Sequence, residues 1–317
     1  MHLDDIAPWQ HAHTFEADRP VRGERRTRLV VAITLAMMAV EIAAGTAFGS
    51  MALLADGWHM GTHAAALGVA VFAYAYARKH AADPRYSFGT GKVGALGGFA
   101  SAVGLAVVAL LVLAESAMRL AKPVAIRFDQ AIGVALIGLA VNLTCAWLLR
   151  NRVAEGGGDR SASHPHHHRD HNLRGAYLHV LADALTSVFA IAALLAGMTL
   201  GWTFMDPVMG IAGAFVIARW SLGLLRDTSA VLLDSEVAGA RRDAIRGAIE
   251  AGRDDRVSDL HVWRVGPRHL AAIVSVVASE PMPPSAYKER LHAFPDLAHV
   301  TVEVHPCAGG GGRAGRS

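Results

Sequence analysis

Two pairs of ionisable residues interrupt long apolar stretches of the sequence. One pair is His59 and His63, and the other is His179 and Asp183. Each pair is spaced i, i+4, so on a helix both members occupy one face, one turn apart. Ionisable residues in an apolar, membrane-like interior are costly and usually functional. If the two faces meet, three imidazoles and one carboxylate form a nitrogen and oxygen ligand set that suits zinc, cobalt or nickel.

The elements that must position these residues are apolar helices. The chain has 317 residues, of which 53% are hydrophobic and 18% are charged, whereas soluble domains carry about 25% charged residues. With a mean hydropathy of +0.32, this composition argues against an ordinary soluble globule and against disorder over most of the chain. Two cysteines exclude a disulfide framework.

A spanning helix needs about 20 mainly apolar residues, and six stretches qualify: 29–48, 52–77, 93–118, 130–149, 175–200 and 207–225.

The two ionisable pairs are predicted to lie at matching depths. His59 is about eight residues, or roughly 12 Å, from the outer end of its span. Asp183 is about nine residues, or roughly 13 Å, from the inner end of an antiparallel span. Both therefore fall in the middle third of a membrane core about 30 Å thick. This depth predicts a single metal site at the bilayer midplane.

Basic residues in the loops predict the orientation in the lipid bilayer. Arginine and lysine cluster before the first span, between the second and third, and between the fourth and fifth, while the opposite side has only Arg119, Lys122 and Arg127. Basic loops remain in the cytoplasm. We therefore predict a multi-pass protein of the inner (plasma) membrane with both termini in the cytoplasm. The basic residues follow this membrane topology, and the sequence shows no nucleic-acid motif.

After the last span the pattern changes to that of a small soluble domain. Helical periodicity at 237–251 and 285–294, and alternating apolar residues at 257–265, 270–278 and 299–305, predict the order helix, strand, strand, helix, strand. The predicted fold is an α-helical membrane protein with six transmembrane helices followed by a small cytoplasmic α+β (ferredoxin-like) domain. The predicted domains are a cytoplasmic N-terminal segment with histidines (1–28), the transmembrane domain (29–226, with a His-rich loop at 151–173), the ferredoxin-like domain (227–306) and a disordered tail (307–317).

Other polar residues within the spans have two interpretations. Asp56 lies one turn before His59, where it could hydrogen-bond a ligand imidazole or orient a helix near the outer surface. Glu41 and Asn142 could line a water path or hold helices together. Glycines of the third span, among them Gly104, are expected to allow close helix packing.

Histidines also cluster outside the spans. His164, His166, His167, His168 and His171 precede the fifth span, and His11 and His13 lie in the N-terminal segment. Histidine-rich tracts are assigned to metal binding by composition alone. We interpret the loop as a segment that captures metal near the cytoplasmic entrance, with a solvated linker as the alternative. The same two interpretations apply to His11 and His13.

Several motifs together resemble the cation diffusion facilitator family. They are Leu-Leu-Ala-Asp-Gly-Trp-His-Met at 53–60 with His63, Tyr-Leu-His-Val-Leu-Ala-Asp-Ala at 177–184, Arg-Tyr-Ser-Phe-Gly-Thr-Gly-Lys at 85–92, and the tail motifs at 259–263 and 299–305. The resemblance covers nearly the whole chain in the correct order. It implies a homodimeric, proton-coupled exporter of divalent metal, not an enzyme and without a catalytic cofactor.

The tail has its own metal-site candidates. The positions that commonly supply ligands there in the resembled family are Ser258, Ser275 and Glu303 in this chain, with His305 nearby. His261 belongs to the shared Asp-Leu-His motif. The candidates for a tail metal site are therefore His261, Glu303 and His305, and dimerisation is the alternative role of the tail.

One departure from the resembled family bears on the metal. Common zinc-exporting members carry Asp where this chain has His63, and a nitrogen-rich site favours nickel and cobalt over manganese. The histidine-bearing N-terminus and loop resemble the DmeF-type cobalt/nickel branch. We therefore predict proton-coupled cobalt and nickel efflux, with zinc or cadmium efflux by the same mechanism as the alternative. A non-transporting metal sensor is a further alternative, and a metal-dependent hydrolase is disfavoured because four protein ligands leave no open coordination position.

Overall fold

The structure, a computed structural model, describes residues 24–81, 83–155, 167–235, 237–252, 254–267 and 269–307; within these ranges, side chains are left undescribed at 24–31, 62–67, 70, 74, 146–155 and 167–183. Six long helices come first: α1 (Glu24–Phe48), α2 (Met51–Lys79), α3 (Val93–Ala121), α4 (Phe128–Glu155), α5 (His167–Leu200) and α6 (Met205–Leu232). They are followed by α7 (Gly239–Glu250), β1 (Arg256–Arg264), β2 (Leu270–Ala278), α8 (Pro284–Arg290) and β3 (Leu297–Pro306).

The six predicted spans each lie within one of the six long helices. Within the described residues, three segments are long and apolar enough to cross a membrane: Val93–Ala121, Phe128–Cys145 and Met205–Leu232. Shorter apolar segments lie in α1 and α5. The fold is thus mostly helical, with apolar helices and a small three-stranded domain at the C-terminal end, as the sequence predicts.

Helical backbone extends into the segment predicted as the His-rich loop. That loop is predicted over 151–173, and within it α4 continues to Glu155 and α5 begins at His167. No proline or glycine lies between 167 and 174, so nothing in this polar segment interrupts a helix. The backbone at His168 and His171 is therefore helical, whereas the rest of the loop at 156–166 lies outside the described residues.

The described chain divides into two compact units. Among the described residues, those from 24 to 69 and from 100 to 225 form the helical unit, and those from 70 to 99 and from 226 to 307 form the tail unit. Two apolar clusters meet α2 in the helical unit. Leu53 packs with residues of α1, α4 and α5, while Met51 packs with residues of α3 and α6. The start of α2 is therefore buried on more than one side.

Small residues of α1 and α6 allow close helix contacts. A Cβ atom on Gly45 of α1 would lie 2.7 Å from the backbone nitrogen of Leu54, and one on Gly213 of α6 would lie 2.7 Å from the Cβ atom of Ala55. By contrast, an added Cβ on Gly104 of α3 would have no atom within 4 Å. The expectation that Gly104 serves close packing is wrong for the described contacts, because its helix face meets open space there.

The tail unit contains the predicted sheet. Its strand order is β1-β2-β3, with β1 and β2 antiparallel and β2 and β3 parallel. Central β2 is buried along nearly its whole length, which explains its continuous apolar sequence. Two side chains on α7 (Ile245 and Ile249) and Tyr287 on α8 cover one face of this sheet.

Candidate metal centre

The N-terminus of α2 is held by a buried carboxylate from α6. Asp206 is 1% exposed. Its Oδ2 atom accepts a hydrogen bond from the backbone N–H of Met51 (2.7 Å), and Oδ1 accepts bonds from the Ser50 hydroxyl (2.6 Å) and the Ala52 N–H (3.1 Å). The Leu53 N–H donates to Ser50 Oγ (3.1 Å). The N–H groups that a helix start leaves without intrahelical partners are therefore satisfied.

A second buried carboxylate joins α2 to α5. Asp56 is 7% exposed. The Thr186 hydroxyl donates to its Oδ1 atom (3.0 Å), and the Ser187 hydroxyl donates to Oδ2 (2.7 Å). The amide of Asn142 on α4 in turn donates to Ser187 Oγ (3.3 Å). These bonds connect three helices at one level, so Asn142 helps to hold helices together, which was one of its two predicted roles.

These contacts fix how α2 and α5 are aligned. Asp56 meets Ser187, whereas the earlier Leu53 of α2 packs in one cluster with the later Ile191 and Leu194 of α5. Because residue numbers increase along α2 in the direction in which they decrease along α5, the two helices are antiparallel. The contact between Asp56 and Ser187 therefore gives a reference level from which other positions can be counted.

Counting residues along α2 and α5 from the Asp56–Ser187 contact gives similar axial positions for the predicted ligands. His59 is about 4.5 Å beyond Asp56 on α2, and Asp183 is about 6 Å from Ser187 in the same direction on α5. One further turn brings the backbone of His63 level with that of His179, within about 1.5 Å. By this count of helical rise, the two pairs are expected at about the same height on neighbouring helices.

Of the four predicted ligands, His59 is the one with a described side chain. It is 7% exposed, and its ring meets the Trp220 ring of α6 edge-on, with centroids 6.3 Å apart and planes at 79°. The side chains of His63, His179 and Asp183 lie outside the description. Among the described residues, no group of three or more histidine, cysteine, aspartate or glutamate side chains is placed to hold a metal. The four-residue site therefore stays a prediction.

The predicted capture residues also remain predictions. His11, His13, His164 and His166 lie outside the described residues. His167, His168 and His171 fall in the first turns of α5, where the structure describes backbone alone.

The tail candidates lie on the open face of the sheet but form separate pairs. His261 Nε2 is 2.9 Å from Asp259 Oδ2. Glu303 accepts a hydrogen bond from the Ser275 hydroxyl (2.9 Å), while His305 Nε2 is 4.0 Å from Glu303 Oε2. All these histidines are more than half exposed. Pairs of this kind are weak ion contacts, and a tail metal site remains untested.

The loop between α2 and α3 carries an ion pair and a tyrosine contact. The Arg85 guanidinium hydrogen-bonds Asp83 (2.7 Å) and lowers the pKa of that carboxyl from 3.8 to about 2. The Tyr76 and Tyr86 hydroxyls are 2.6 Å apart, and this bond raises the pKa of Tyr86. The first half of the motif at 85–92 thus stabilises the loop itself.

The second half of that motif contacts the tail within the same unit. Lys92 forms an ion pair with Asp234. Gly91 lies directly against the carbonyl of Val265, so any Cβ atom would collide with it. The Phe88 ring packs edge-on against the Trp263 ring, with centroids 6.0 Å apart. The structure therefore gives this motif a packing role.

Four residues with evident roles were missed by reasoning from the sequence. Asp206 fell just outside the predicted last span, which began at residue 207. Thr186 and Ser187 follow Asp183 by one turn, yet their hydroxyls gave no signal, because serine and threonine in helices commonly bond to their own backbone. Trp220 read as one more apolar residue of its span.

Known proteins that this chain resembles are named for the transport of metal cations. A family described as "Cation efflux transmembrane domain" matches residues 27–233. The "Zinc transporter ZitB" of Escherichia coli (strain K12) is 30% identical over 310 residues, covering 94% of this chain and 93% of that protein. The "Cadmium, cobalt and zinc/H(+)-K(+) antiporter" of Bacillus subtilis is 29% identical over 274 residues, covering 84% of each chain. The "Metal cation efflux system protein CzcD" of Cupriavidus metallidurans is 29% identical over 306 residues, covering 94% and 90%.

Proposed function

Because the chain belongs to the cation efflux family, whose members are metal-ion transporters and not enzymes, we propose that it exports zinc from the cytoplasm in exchange for protons. Relatives named for zinc transport, or for cadmium, cobalt and zinc together, support zinc ahead of the cobalt and nickel expected from the sequence. A site of imidazole and carboxylate ligands is also typical of zinc.

The alignment of α2 and α5 is the observation that carries the proposed site. The hydrogen bonds from Thr186 and Ser187 to Asp56 set a level from which His59 and Asp183 are both about one turn away. By helical spacing, His59 and His63 share the face of α2 that carries Asp56. His179 and Asp183 share the face of α5 that carries Ser187. We assign zinc binding to these four residues.

Proton exchange follows from the chemistry of this ligand set. Imidazole and carboxylate must be deprotonated to bind a metal ion. Free imidazole titrates near pH 6.5, so protons compete with the metal when the site opens toward a more acidic exterior. Metal is then released outward, and protons return with the empty carrier. The antiporter name of one relative supports this exchange.

The remaining features of the proposal come from the sequence. Both termini lie in the cytoplasm, the chain works as a homodimer in the inner membrane, and the histidines before α5 collect metal at the cytoplasmic entrance. Basic loops support the orientation, and bacterial relatives that are membrane transporters support the location.

Cobalt and nickel are the second candidate substrates, favoured by one residue. His63 makes the proposed site richer in nitrogen than the His and Asp pair of common zinc exporters, and nitrogen ligands suit nickel and cobalt. Replacing His63 by aspartate should therefore raise the ratio of zinc transport to cobalt transport. An unchanged ratio would remove the reason for this second candidate.

Transport into proteoliposomes tests the main proposal. The purified full chain is reconstituted with an imposed pH gradient, and uptake of zinc, cobalt, nickel and manganese is measured in parallel. We expect zinc uptake that needs the gradient and that is lost in His59→Ala and Asp183→Ala. Thr199→Ala is the matched control, since Thr199 is an exposed α5 hydroxyl that bonds to its own helix backbone. Full zinc uptake by Asp183→Ala would refute the assigned site.

A further inference from the structure

Asp56 is a buried carboxylate whose described hydrogen bonds come from hydroxyl groups. It sits in an apolar helix, and its two oxygens accept bonds of 3.0 and 2.7 Å from adjacent residues of α5. A carboxylate in a membrane-embedded segment is costly. A second apolar contact between α2 and α5 would avoid that cost, so burial of this charge calls for a specific role.

The bonding pattern restricts how the two helices can shift. Thr186 and Ser187 are neighbours in sequence, and each donates to a different oxygen of one carboxylate. Sliding α5 by one residue while keeping its groove turns the facing residue by about 100° around the helix axis. Such a turn removes at least one of the two hydroxyls from hydrogen-bonding reach. Two donors on one carboxylate therefore fix both the level and the rotation of α5 against α2.

A third helix is joined to the same point. Asn142 of α4 is 4% exposed, and its amide donates to the fully buried Ser187 oxygen. Ser187 thus accepts from α4 and donates to α2. Such chains of hydrogen bonds strengthen one another in a low-dielectric interior.

From this network we infer that Asp56 is a positioning residue for metal transport, which acts through Thr186 and Ser187 and keeps the ligand pairs of α2 and α5 at one level. The inference rests on the proposed function, because the positions that it aligns are His59 with Asp183 and His63 with His179. Of the two roles that the sequence suggests for Asp56, this one is closer to orienting a helix than to bonding a ligand imidazole directly, and it names α5 as the helix that is held.

The inference predicts that removing the Asp56 carboxylate and removing the Thr186 and Ser187 hydroxyls weaken zinc binding to a similar extent. Zinc affinity is measured by equilibrium dialysis of the purified protein with zinc alone. Loss of groups that orient metal ligands commonly weakens metal binding by about 10–100-fold. We expect a loss in this range for Asp56→Asn and a similar loss for the double variant Thr186→Val with Ser187→Ala. Combining all three changes should add little, because one contact can be lost only once.

Two variants guard against an effect of misfolding. Thr186→Ser keeps a hydroxyl at the same position and should retain zinc affinity within about 3-fold, an allowance for a shifted hydroxyl rotamer. Asn142→Ala removes only the bond to Ser187 and should weaken affinity less than Asp56→Asn does. Only variants that elute as a single folded species in size-exclusion chromatography are compared. If the stronger variants do not fold, the zinc affinities of Asn142→Ala and Thr186→Ser are compared, and the inference requires the weaker affinity in Asn142→Ala.

The outcomes separate this inference from the proposed function. If the wild type binds zinc, Asp183→Ala does not, and the hydroxyl variants bind like the wild type, then Asp56 does not act through α5 and the inference fails alone. Loss of affinity in Asp56→Asn together with full affinity in the hydroxyl variants would instead make Asp56 a metal or proton site. If the wild type binds no zinc, the proposed function itself is refuted.

Discussion

Replacing Asp206 by alanine tests whether one buried carboxylate holds the beginning of α2 in place. The change leaves the N–H groups of Met51 and Ala52 and the hydroxyl of Ser50 without their acceptor. A hydrogen bond to a charged group contributes about 1.5–3 kcal/mol, so three of them amount to about 4.5–9 kcal/mol before any relaxation. Bonds that share one acceptor are not additive.

The expected loss is therefore nearer to that measured when a buried ionic contact is broken, about 3–5 kcal/mol. A chain larger than 150 residues loses about 2 °C in Tm for each kcal/mol. Asp206→Ala should then lower Tm by about 6–10 °C. Asp206→Asn keeps one carbonyl oxygen as an acceptor and should lose about half as much.

The assay is the fraction of monodisperse protein left after heating in detergent, followed by fluorescence-detected size-exclusion chromatography. Asp129→Ala is the matched control, because Asp129 also lies in the first turn of an apolar helix but is exposed. An exposed acidic residue at a helix start contributes about 0.3–1 kcal/mol, so its loss should shift Tm by about 2 °C at most. A shift of that size in Asp206→Ala, or an equal shift in both variants, would refute the role assigned to the carboxylate.

Two further predictions concern packing and pH. Gly45→Ala should destabilise the protein by about 1–3 kcal/mol, the range for overpacking, because its Cβ would lie 2.7 Å from the backbone of Leu54. Gly133→Ala is the control, because no described atom lies within 4 Å of the Cβ atom that it would add, and thermal unfolding compares the two variants. The lowered pKa of Asp83 means that its contribution to stability is present above pH 3.8 and is lost as the pH falls through about 2. NMR titration of labelled aspartate should show a midpoint near 2 that moves toward 3.8 in Arg85→Gln, and an unchanged midpoint would contradict the assigned cause.

The helices could be predicted because a membrane sets one simple rule for sequence. An apolar run of about 20 residues is enough to identify a span, and all six predicted spans lie within observed helices. Helix ends were less predictable, since polar segments can extend a helix into water. The last span was predicted to stop at residue 225, yet α6 continues to Leu232.

Contacts between helices could not be predicted, because the sequence does not say which faces meet. Gly45 and Gly213 bring α1 and α6 close to α2, although neither stood out among the many glycines of the spans. The same holds for the site. The i, i+4 pairs marked His59 and Asp183 as chemically unusual, but only the structure identifies the partners of Asp56 on α5.

The buried carboxylates of α2 and α6 bear on which acidic groups can bind a metal ion. Asp206 accepts three described hydrogen bonds from protein donors, and Asp56 accepts two. A carboxylate has about four lone-pair sites, and carboxylates that bind metal ions commonly accept hydrogen bonds as well. A metal ion at Asp206 would compete with the bonds that hold the start of α2, so this carboxylate is a poor candidate for binding a metal that must enter and leave in every transport cycle. By the same criterion, the ligand role proposed for Asp183 requires that protein donors leave at least one lone-pair site of its carboxylate available.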